Sequence, residues 1–243
     1  MVTGNVPFFS EDTINVKTAM ILAAGRGERL KPITDSCPKS LCKVGNEPLI
    51  VYHLNNLARA GIRDIVINHA WLGGKIRQYL GNGAAFNVNI QYSPEPPGGL
   101  ETGGGIFQAL PLLGDQPFVC VNADIYTDFD FSLLNSPRDN FEAHLVLVNN
   151  PQHNEKGDFG LSARGIVQNT PRKHTFSGIA VYSPGAFKHK HIGRYSVTPM
   201  IRTSVVSEKV SGEIYEGLWI DIGCMDRLRE ANQHALYSGL HFA

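Results

Sequence analysis

Short apolar runs alternate with helical patterns through the first half of the chain. Nearly continuous apolar stretches at 18–23, 64–70 and 117–125 predict buried strands, and 87–93 alternates like a further strand. Apolar residues at helical spacing predict helices over 47–60, 73–83 and 106–113, the last after a proline- and glycine-rich loop at 94–105. Strands that are apolar on both sides and separated by helices predict a mostly parallel sheet covered on both faces.

The second half has a different pattern, in which strands follow one another with short connections. Strands are predicted at 143–150, 157–163, 175–183 and 210–223, and helices at 197–206 and 225–237. No linker, low-complexity tract or internal repeat divides the chain. We therefore expect one α/β domain over 18–243, in which the later strands extend a mixed sheet, and a loosely ordered N-terminal extension over 1–17.

Composition narrows the class of protein. A chain of 243 residues with 42% hydrophobic residues can bury one large core. Its formal net charge of zero argues against broad nucleic-acid binding, which needs many cations facing phosphates. No apolar stretch approaches the roughly 20 residues of a membrane span, and 1–17 lacks a signal-peptide pattern. Four cysteines without a CxxC motif predict reduced thiols, so we expect a cytoplasmic protein with no membrane partner.

A glycine-rich loop with cationic side chains follows the first predicted strand. It lacks the GK[ST] of a Walker A loop, and Leu30 stands where the dinucleotide fingerprint has its third glycine. Gly25 and Gly27 let backbone N–H groups approach an anion closely. Arg29 offers a bidentate fork to phosphate oxygens, and Lys39 offers a mobile point charge. A solvated surface turn is the alternative, but the position after a parallel strand favours a phosphate site.

The same loop carries a long motif. Residues 22–41 match L-A-A-G-x-G-x-R-L-x-P-x-T-x-x-x-P-K-x-L at every fixed position, and the chain thereby resembles the sugar-1-phosphate nucleotidyltransferases. The similarity continues over most of 18–237, through "GDFGL" and "TFSGIAVY", and is strongest to the branch that uridylylates N-acetylmuramate 1-phosphate. The resemblance implies a single Rossmann-like α/β domain. It also implies a nucleoside triphosphate and a sugar 1-phosphate as substrates, with pyrophosphate as a product.

Two aspartates end apolar strands, Asp124 in "PFVCVNAD" and Asp221 in "LWID". Each could cap a turn, yet joining two highly charged phosphates calls for a hard cation with oxygen ligands. The resemblance implies that both aspartates bind Mg²⁺, with Ala123 standing where the family usually has glycine. For Asp128 and Asp130 we expect helix N-capping instead.

The resemblance also assigns roles to individual residues. It implies nucleotide binding by Ala24, Gly25, Gly27, Glu28, Arg29, Lys39 and Asn122, and catalytic roles for Arg29, Lys39 and Asp124. It implies sugar binding by Glu101, Thr102, Asp158 and Gly178. No catalytic histidine is needed, because a phosphate monoester with a second pKa of about 6 is largely ionised at neutral pH. His69 is therefore expected to be structural.

The base and the sugar stay open at this point. Backbone groups of the 92–100 loop could read uracil, whereas a guanine reader would need a carboxylate, for which Glu95 is the acidic candidate. The Glu-Lys-Pro motif that holds the sugar phosphate in many relatives is absent. The alternatives are a mannose-1-phosphate guanylyltransferase, a glucose-1-phosphate thymidylyl- or uridylyltransferase, a cytidylyltransferase for a small phospho-alcohol, and a non-catalytic nucleotide-sugar sensor. Without a hexapeptide-repeat pattern, the chain is expected to be a monomer.

Overall fold

The computed structural model describes residues 16–134 and 140–238, with the backbone alone at 238. The predicted N-terminal extension therefore lies outside the described residues, apart from its last two positions. Of these two, Val16 is buried in the core, with 2% of its surface exposed. Val16 therefore packs with the domain, while the prediction for 1–15 lies outside the described residues.

Most described elements fall where the hydrophobic pattern predicts them. The strands are β1 (Thr18–Leu22), β2 (Lys43–Val44), β3 (Glu47–Pro48), β4 (Asp64–His69), β5 (Asn89–Pro94), β6 (Phe118–Asn122), β7 (Ile125–Thr127), β8 (Ala143–Asn149), β9 (Gly160–Leu161), β10 (Val167–Gln168), β11 (His174–Tyr182), β12 (Val210–Tyr215) and β13 (Trp219–Asp221). The α-helices are α1 (Ile33–Ser36), α2 (Leu49–Arg59), α3 (Gly73–Leu80), α4 (Glu101–Leu113), α5 (Thr198–Val206) and α6 (Met225–Ser238). None of the helices in the described ranges is long and apolar enough to cross a lipid bilayer.

Seven strands form the central sheet, in the order β12-β8-β11-β6-β1-β4-β5. Strand β11 runs antiparallel to both of its neighbours, β6 and β8, while the other adjacent pairs are parallel. The prediction of a mixed, mostly parallel sheet is therefore confirmed. Since β1, β4 and β6 are parallel neighbours, the loops that follow them meet at one edge of the sheet.

Alternate residues of β1 pack on opposite faces of the sheet. Ala19 and Ile21 are buried with Ile50 of α2 on one face. Met20 is buried with Ile106 of α4 on the other. The sheet is thus covered by helices on both sides, as the apolar strands predict, and burial of both faces explains why the strand runs show no polar alternation.

A third apolar cluster lies beside the glycine-rich loop. Leu30, the first fully buried residue after the two loop glycines, packs with three residues of other segments. These are Tyr126 of β7, Ile222 just after β13, and Leu228 of α6. Strands β7 and β13 pair antiparallel, with Asp221 opposite Ile125. This cluster holds together the loop after β1 and the late strand that ends at Asp221.

Helix α4 begins five residues earlier than predicted, at Glu101 instead of 106. The glycines at 103–105 suggest a loop in the sequence, but in the structure they form the first turns of this helix. A Cβ atom on Gly104 would lie 1.9 Å from the carbonyl oxygen of Gly193. The prediction of a loop through 105 is wrong, because these glycines serve close packing and not a turn.

The strand predicted over 210–223 is in fact two strands in different sheets, β12 and β13. Asp128 accepts a hydrogen bond from the backbone N–H of Leu218 at 2.9 Å and fixes the turn between them. The prediction that Asp128 caps a helix is therefore wrong. The matching prediction for Asp130 is confirmed, since it accepts a hydrogen bond from the Ser132 N–H at 2.9 Å at the start of a short 3₁₀ helix.

Candidate active site

The glycine-rich loop leaves β1 and turns sharply at Gly27, whose φ is +70°. A Cβ atom there would lie 3.0 Å from Thr34 Cγ2 and 3.2 Å from Lys39 Cβ. The Thr34 hydroxyl donates to the Gly27 carbonyl at 2.8 Å. The loop therefore folds back on the segment that carries Lys39, which only glycine permits at this position.

Lys39 and Asp124 form an ion pair, in which the lysine ammonium donates to Asp124 Oδ2. Their side chains are only 15% and 30% exposed. Asp124 lies in the turn between β6 and β7, where its carbonyl accepts a hydrogen bond from the Ile222 N–H at 2.8 Å. That bond brings the turn next to the end of β13, so Asp124 and Asp221 are neighbours.

Two basic side chains contact the Asp221 carboxylate from different sides. His153 Nε2 lies 2.9 Å from its Oδ1, and Arg227 Nη2 donates to its Oδ2 at 3.1 Å. Burial raises the pKa of Asp221, while Arg227 and His153 act in the opposite direction. Sequence reasoning missed both supporting residues, since His153 lies 68 positions from Asp221 in the chain and only folding brings them together.

One large cavity, of about 990 Å³, opens at the ends of β1, β4 and β6. This volume is at the upper end of the range for small-molecule sites, about 300–1,000 Å³. Most of the predicted site residues line it: Ala24, Gly25, Gly27, Glu28, Lys39, Glu101, Thr102, Asn122 and Asp124. The structure therefore brings the glycine-rich loop, the ion pair and the start of α4 around one space.

Four predicted site residues lie outside that wall. A Cβ atom on Gly223 would lie 2.8 Å from Arg29 Nη2, so the exposed Arg29 packs near the end of β13 instead of in the cavity. Asp158 accepts a hydrogen bond from the Phe176 N–H at 2.9 Å. Asp221 lies beside Asp124 but is itself not part of the wall.

Gly178 is the fourth of these residues. It lines a smaller cavity of about 140 Å³. Thr102 and Asn122 line both this space and the large cavity, so the two adjoin. Trp219 donates through its indole N–H to the carbonyl of the neighbouring Ser177 at 2.9 Å and fixes this part of β11.

A buried hydrogen-bond chain in the cavity wall links three strand ends, and sequence reasoning did not find it. The Asn68 oxygen accepts from the Ala23 N–H at 2.7 Å, and its amide nitrogen donates to Glu95 Oε1 at 2.6 Å. Glu95 Oε2 accepts from the Leu100 N–H at 2.6 Å. A Cβ atom on Gly105 would lie 2.4 Å from Glu95 Oε1, so this glycine leaves room for the pair. A polar Asn68 at the end of an otherwise apolar strand was the available signal.

Trp71 and Arg26 form another part of the cavity wall. The Arg26 guanidinium stacks over the indole, 3.9 Å from the ring centroid. Both side chains donate to the Thr34 carbonyl, at 2.9 Å from Trp71 and 2.6 Å from Arg26. His69, two residues earlier, is buried and stays outside the wall, in line with the structural role expected for it.

Comparison with known proteins matches this arrangement to a family. The family model for nucleotidyl transferases covers residues 18–238. An N-acetylmuramate alpha-1-phosphate uridylyltransferase of Neisseria meningitidis is 50% identical over 221 residues, covering 88% of this chain and 96% of that protein. A protein of the same name from Caulobacter vibrioides is 29% identical over 222 residues, covering 85% of this chain and 92% of its own.

A solved structure extends the likeness to the fold. It is named as a glucose-1-phosphate thymidylyltransferase from Bacillus anthracis and matches with a TM-score of 0.81 at 22% identity. The match covers 94% of this chain and 97% of that one, which confirms the predicted single nucleotidyltransferase fold. Together with the family match over nearly the whole described chain, this confirms the resemblance seen in the loop motif. The chain belongs to the nucleotidyl transferase family of enzymes.

Proposed function

We propose that the protein transfers a uridylyl group from UTP to N-acetylmuramate 1-phosphate and releases pyrophosphate. The observation that carries this proposal is the convergence of Gly25, Gly27, Lys39 and Asp124 on one cavity at the end of β1. The choice of base and sugar rests on the meningococcal relative, which is 50% identical over most of both chains.

The reaction requires little covalent chemistry from the protein. A phosphate oxygen of the sugar 1-phosphate forms a bond to the α-phosphorus of UTP. The bond from that phosphorus to the oxygen bridging to the β-phosphate breaks, and its electron pair leaves with pyrophosphate. Lys39 supplies positive charge where the two phosphates meet, and the backbone of Gly25 and Gly27 faces the triphosphate. A catalytic role for Arg29, which lies outside the cavity wall, stays a prediction.

The neighbouring carboxylates of Asp124, in the cavity wall, and Asp221, beside it, fit Mg²⁺. Among the residues that the structure describes, no cluster of three or more His, Cys, Asp or Glu side chains could hold a metal by itself. Two neighbouring carboxylates are nonetheless what Mg²⁺ uses when nucleotide phosphates complete its coordination. We therefore assign the ion to Asp124 and Asp221, where it would neutralise phosphate charge when bound.

The base-reading loop favours uracil over guanine. Pro97, Gly98 and Gly99 line the cavity and offer backbone groups, which match the carbonyls and N–H of uracil. Glu95 also faces the cavity, but each of its oxygens already accepts a hydrogen bond from the protein. A guanine reader would have to break that chain, so we rank the guanylyltransferase alternative lower. The UDP-sugar product fits a role in peptidoglycan recycling, carried out in the cytoplasm by a monomer.

Pyrophosphate release tests the proposal. We would measure it for UTP, GTP, dTTP and CTP against the 1-phosphates of N-acetylmuramate, N-acetylglucosamine, glucose and mannose, with and without Mg²⁺. The expected result is highest kcat/KM for UTP with N-acetylmuramate 1-phosphate, dependent on Mg²⁺. A preference for GTP with mannose 1-phosphate would contradict the assignment, and tight binding without turnover would point to a sensor.

A matched pair of variants tests the site itself. Asp124→Asn should lower kcat by a factor of about 10²–10³ or more, because it removes a preorganised charge from the reacting centre. Asp115→Asn makes the same change at an exposed position outside the cavity and should leave kcat unchanged. Near-normal turnover by Asp124→Asn at saturating Mg²⁺ would show that the metal assignment is wrong.

A further inference from the structure

A short basic segment, Lys188 to Arg194, lies between the buried Phe187 and the half-buried Tyr195. It contains two lysines, two histidines and one arginine, and the proposed reaction uses none of them. Of these five side chains, Arg194 lines the large cavity. The question is which ligand group a guanidinium would meet there.

The backbone on either side of Arg194 is fixed to the start of α4. The Tyr195 N–H donates to the Leu100 carbonyl at 3.1 Å, and the Tyr195 carbonyl accepts from the N–H groups of Gly103 at 2.9 Å and Gly104 at 3.1 Å. On the other side, Gly104 lacks the Cβ atom that would clash with the carbonyl of Gly193. Arg194 is therefore anchored by its neighbours beside the first turn of α4.

The side chain of Arg194 makes a single weak ion pair. Its Nε lies 3.4 Å from Glu101 Oε1, and the two side chains are 63% and 46% exposed. Within the described ranges, no other acidic side chain is within ion-pair distance of Arg194. The contact uses Nε, so the two Nη groups of the guanidinium stay available to a planar anion.

We propose that Arg194 binds a carboxylate carried by the sugar 1-phosphate, which makes acidic sugar 1-phosphates the preferred substrate class. The inference rests on the proposed function and deepens it. N-acetylmuramate differs from N-acetylglucosamine by a lactyl ether that ends in a carboxylate, so one charged group distinguishes the two sugars. A guanidinium fork matches a carboxylate in two parallel hydrogen bonds.

Two charged pairs line the same large cavity but belong to different elements. Lys39, in the segment after the glycine-rich loop, pairs with Asp124 in the turn after β6, whereas Arg194 pairs with Glu101 at the start of α4. A sugar with its 1-phosphate at Lys39 would present its other substituents to the remaining wall. Arg194 supplies a cation to that part of the wall.

Substrate discrimination by variants tests the inference. We would measure kcat/KM at saturating UTP with the 1-phosphates of N-acetylmuramate and N-acetylglucosamine. Arg194→Met should lower the value for N-acetylmuramate 1-phosphate about 10- to 100-fold, mainly through KM, and leave that for N-acetylglucosamine 1-phosphate unchanged. Arg194→Lys should fall between, because it keeps the charge without the fork. Lys188→Met, an exposed position of the same segment outside the cavity wall, is the matched control.

A substrate analogue gives a second test that requires no variant. Converting the lactyl carboxylate of the substrate to an amide should lower the kcat/KM of the wild-type protein to a similar degree. The same change should have little effect on the kcat/KM of Arg194→Met. Equal losses with both sugars, or no loss with either, would overturn the role of Arg194 while the wild-type activity still supports the proposed function. Turnover of another sugar 1-phosphate by the wild-type protein, without turnover of N-acetylmuramate 1-phosphate, would overturn the proposed function and this inference together.

Discussion

Glu95→Gln should destabilise the protein markedly although it changes only one atom. The carboxylate accepts hydrogen bonds from Asn68 and from the Leu100 N–H, whereas an amide offers one acceptor for these two donors. Flipping the Asn68 amide does not help, because its oxygen would then leave the Ala23 N–H. A buried donor without an acceptor costs about 1–3 kcal/mol, and one charge-assisted bond is lost as well. We expect a loss of about 2–4 kcal/mol in the free energy of unfolding.

A second substitution should restore the lost bonds. In the double variant Asn68→Asp with Glu95→Gln, the new aspartate accepts from the Ala23 N–H and from the new glutamine amide. The glutamine oxygen then accepts from the Leu100 N–H, so every bond of the chain is remade. Asn68→Asp alone places two carboxylates side by side and should be at least as unstable as Glu95→Gln. The cycle should therefore show a favourable coupling of about 2 kcal/mol or more.

Urea denaturation of the four proteins measures this cycle, with Glu216→Gln, at an exposed glutamate, as the control. The melting temperature should fall by about 5–10 °C in Glu95→Gln and recover in the double variant. Asn68 and Glu95 lie in the cavity wall, so KM for the nucleotide should also change. It should rise in each single variant and return towards the wild-type value in the double variant. A Glu95→Gln variant within about 0.5 kcal/mol of the wild type, or strict additivity in the cycle, would refute the reasoning.

Three further predictions concern other parts of the fold. Burial lowers the pKa of His53 to about 4. Between about pH 6.5 and pH 4 the unfolded chain therefore binds a proton at this histidine, whereas the folded chain does not. About 3 kcal/mol of stability should be lost between pH 7 and pH 4, and urea melts of His53→Asn should show a flatter pH dependence. Glu101 has a φ of +59°, so Glu101→Gly should raise stability by about 0.5–1 kcal/mol over Glu101→Ala in thermal melts. Gly104→Ala should cost about 1–3 kcal/mol by its clash with a backbone carbonyl, whereas Gly74→Ala, with open space around it, should not destabilise α3.

The sequence was sufficient for features that depend on local pattern. Apolar runs predict the strands of the central sheet because those strands are buried on both faces. The position of Asp124 after such a run predicts its place at the sheet edge, beside the glycine-rich loop. A spaced motif over 22–41 predicts the family, which the comparisons confirm.

Features that depend on contacts between residues far apart in the chain could not be predicted from the sequence. Gly104 has a loop-like signature in sequence, yet its role is set by Gly193, which lies 89 positions away in the chain. Glu95 looks like a free acidic residue in a loop until folding brings Asn68 and Leu100 to its two oxygens. Hydrophobic spacing carries no information on such polar partners, since they are chosen by the register of neighbouring strands.

The chain contains two tryptophans, one in the wall of the large cavity and one that bonds to the backbone beside the smaller cavity. Trp71 is 37% exposed in the wall of the large cavity, beneath the Arg26 guanidinium. The Trp219 indole donates to the carbonyl of Ser177, next to Gly178 in the wall of the smaller cavity. The intrinsic tryptophan fluorescence of the protein therefore comes from these two positions alone. If the proposed nucleotide and sugar phosphate bind in the large cavity, the tryptophan emission of the unlabelled protein should change, and this change would measure their binding.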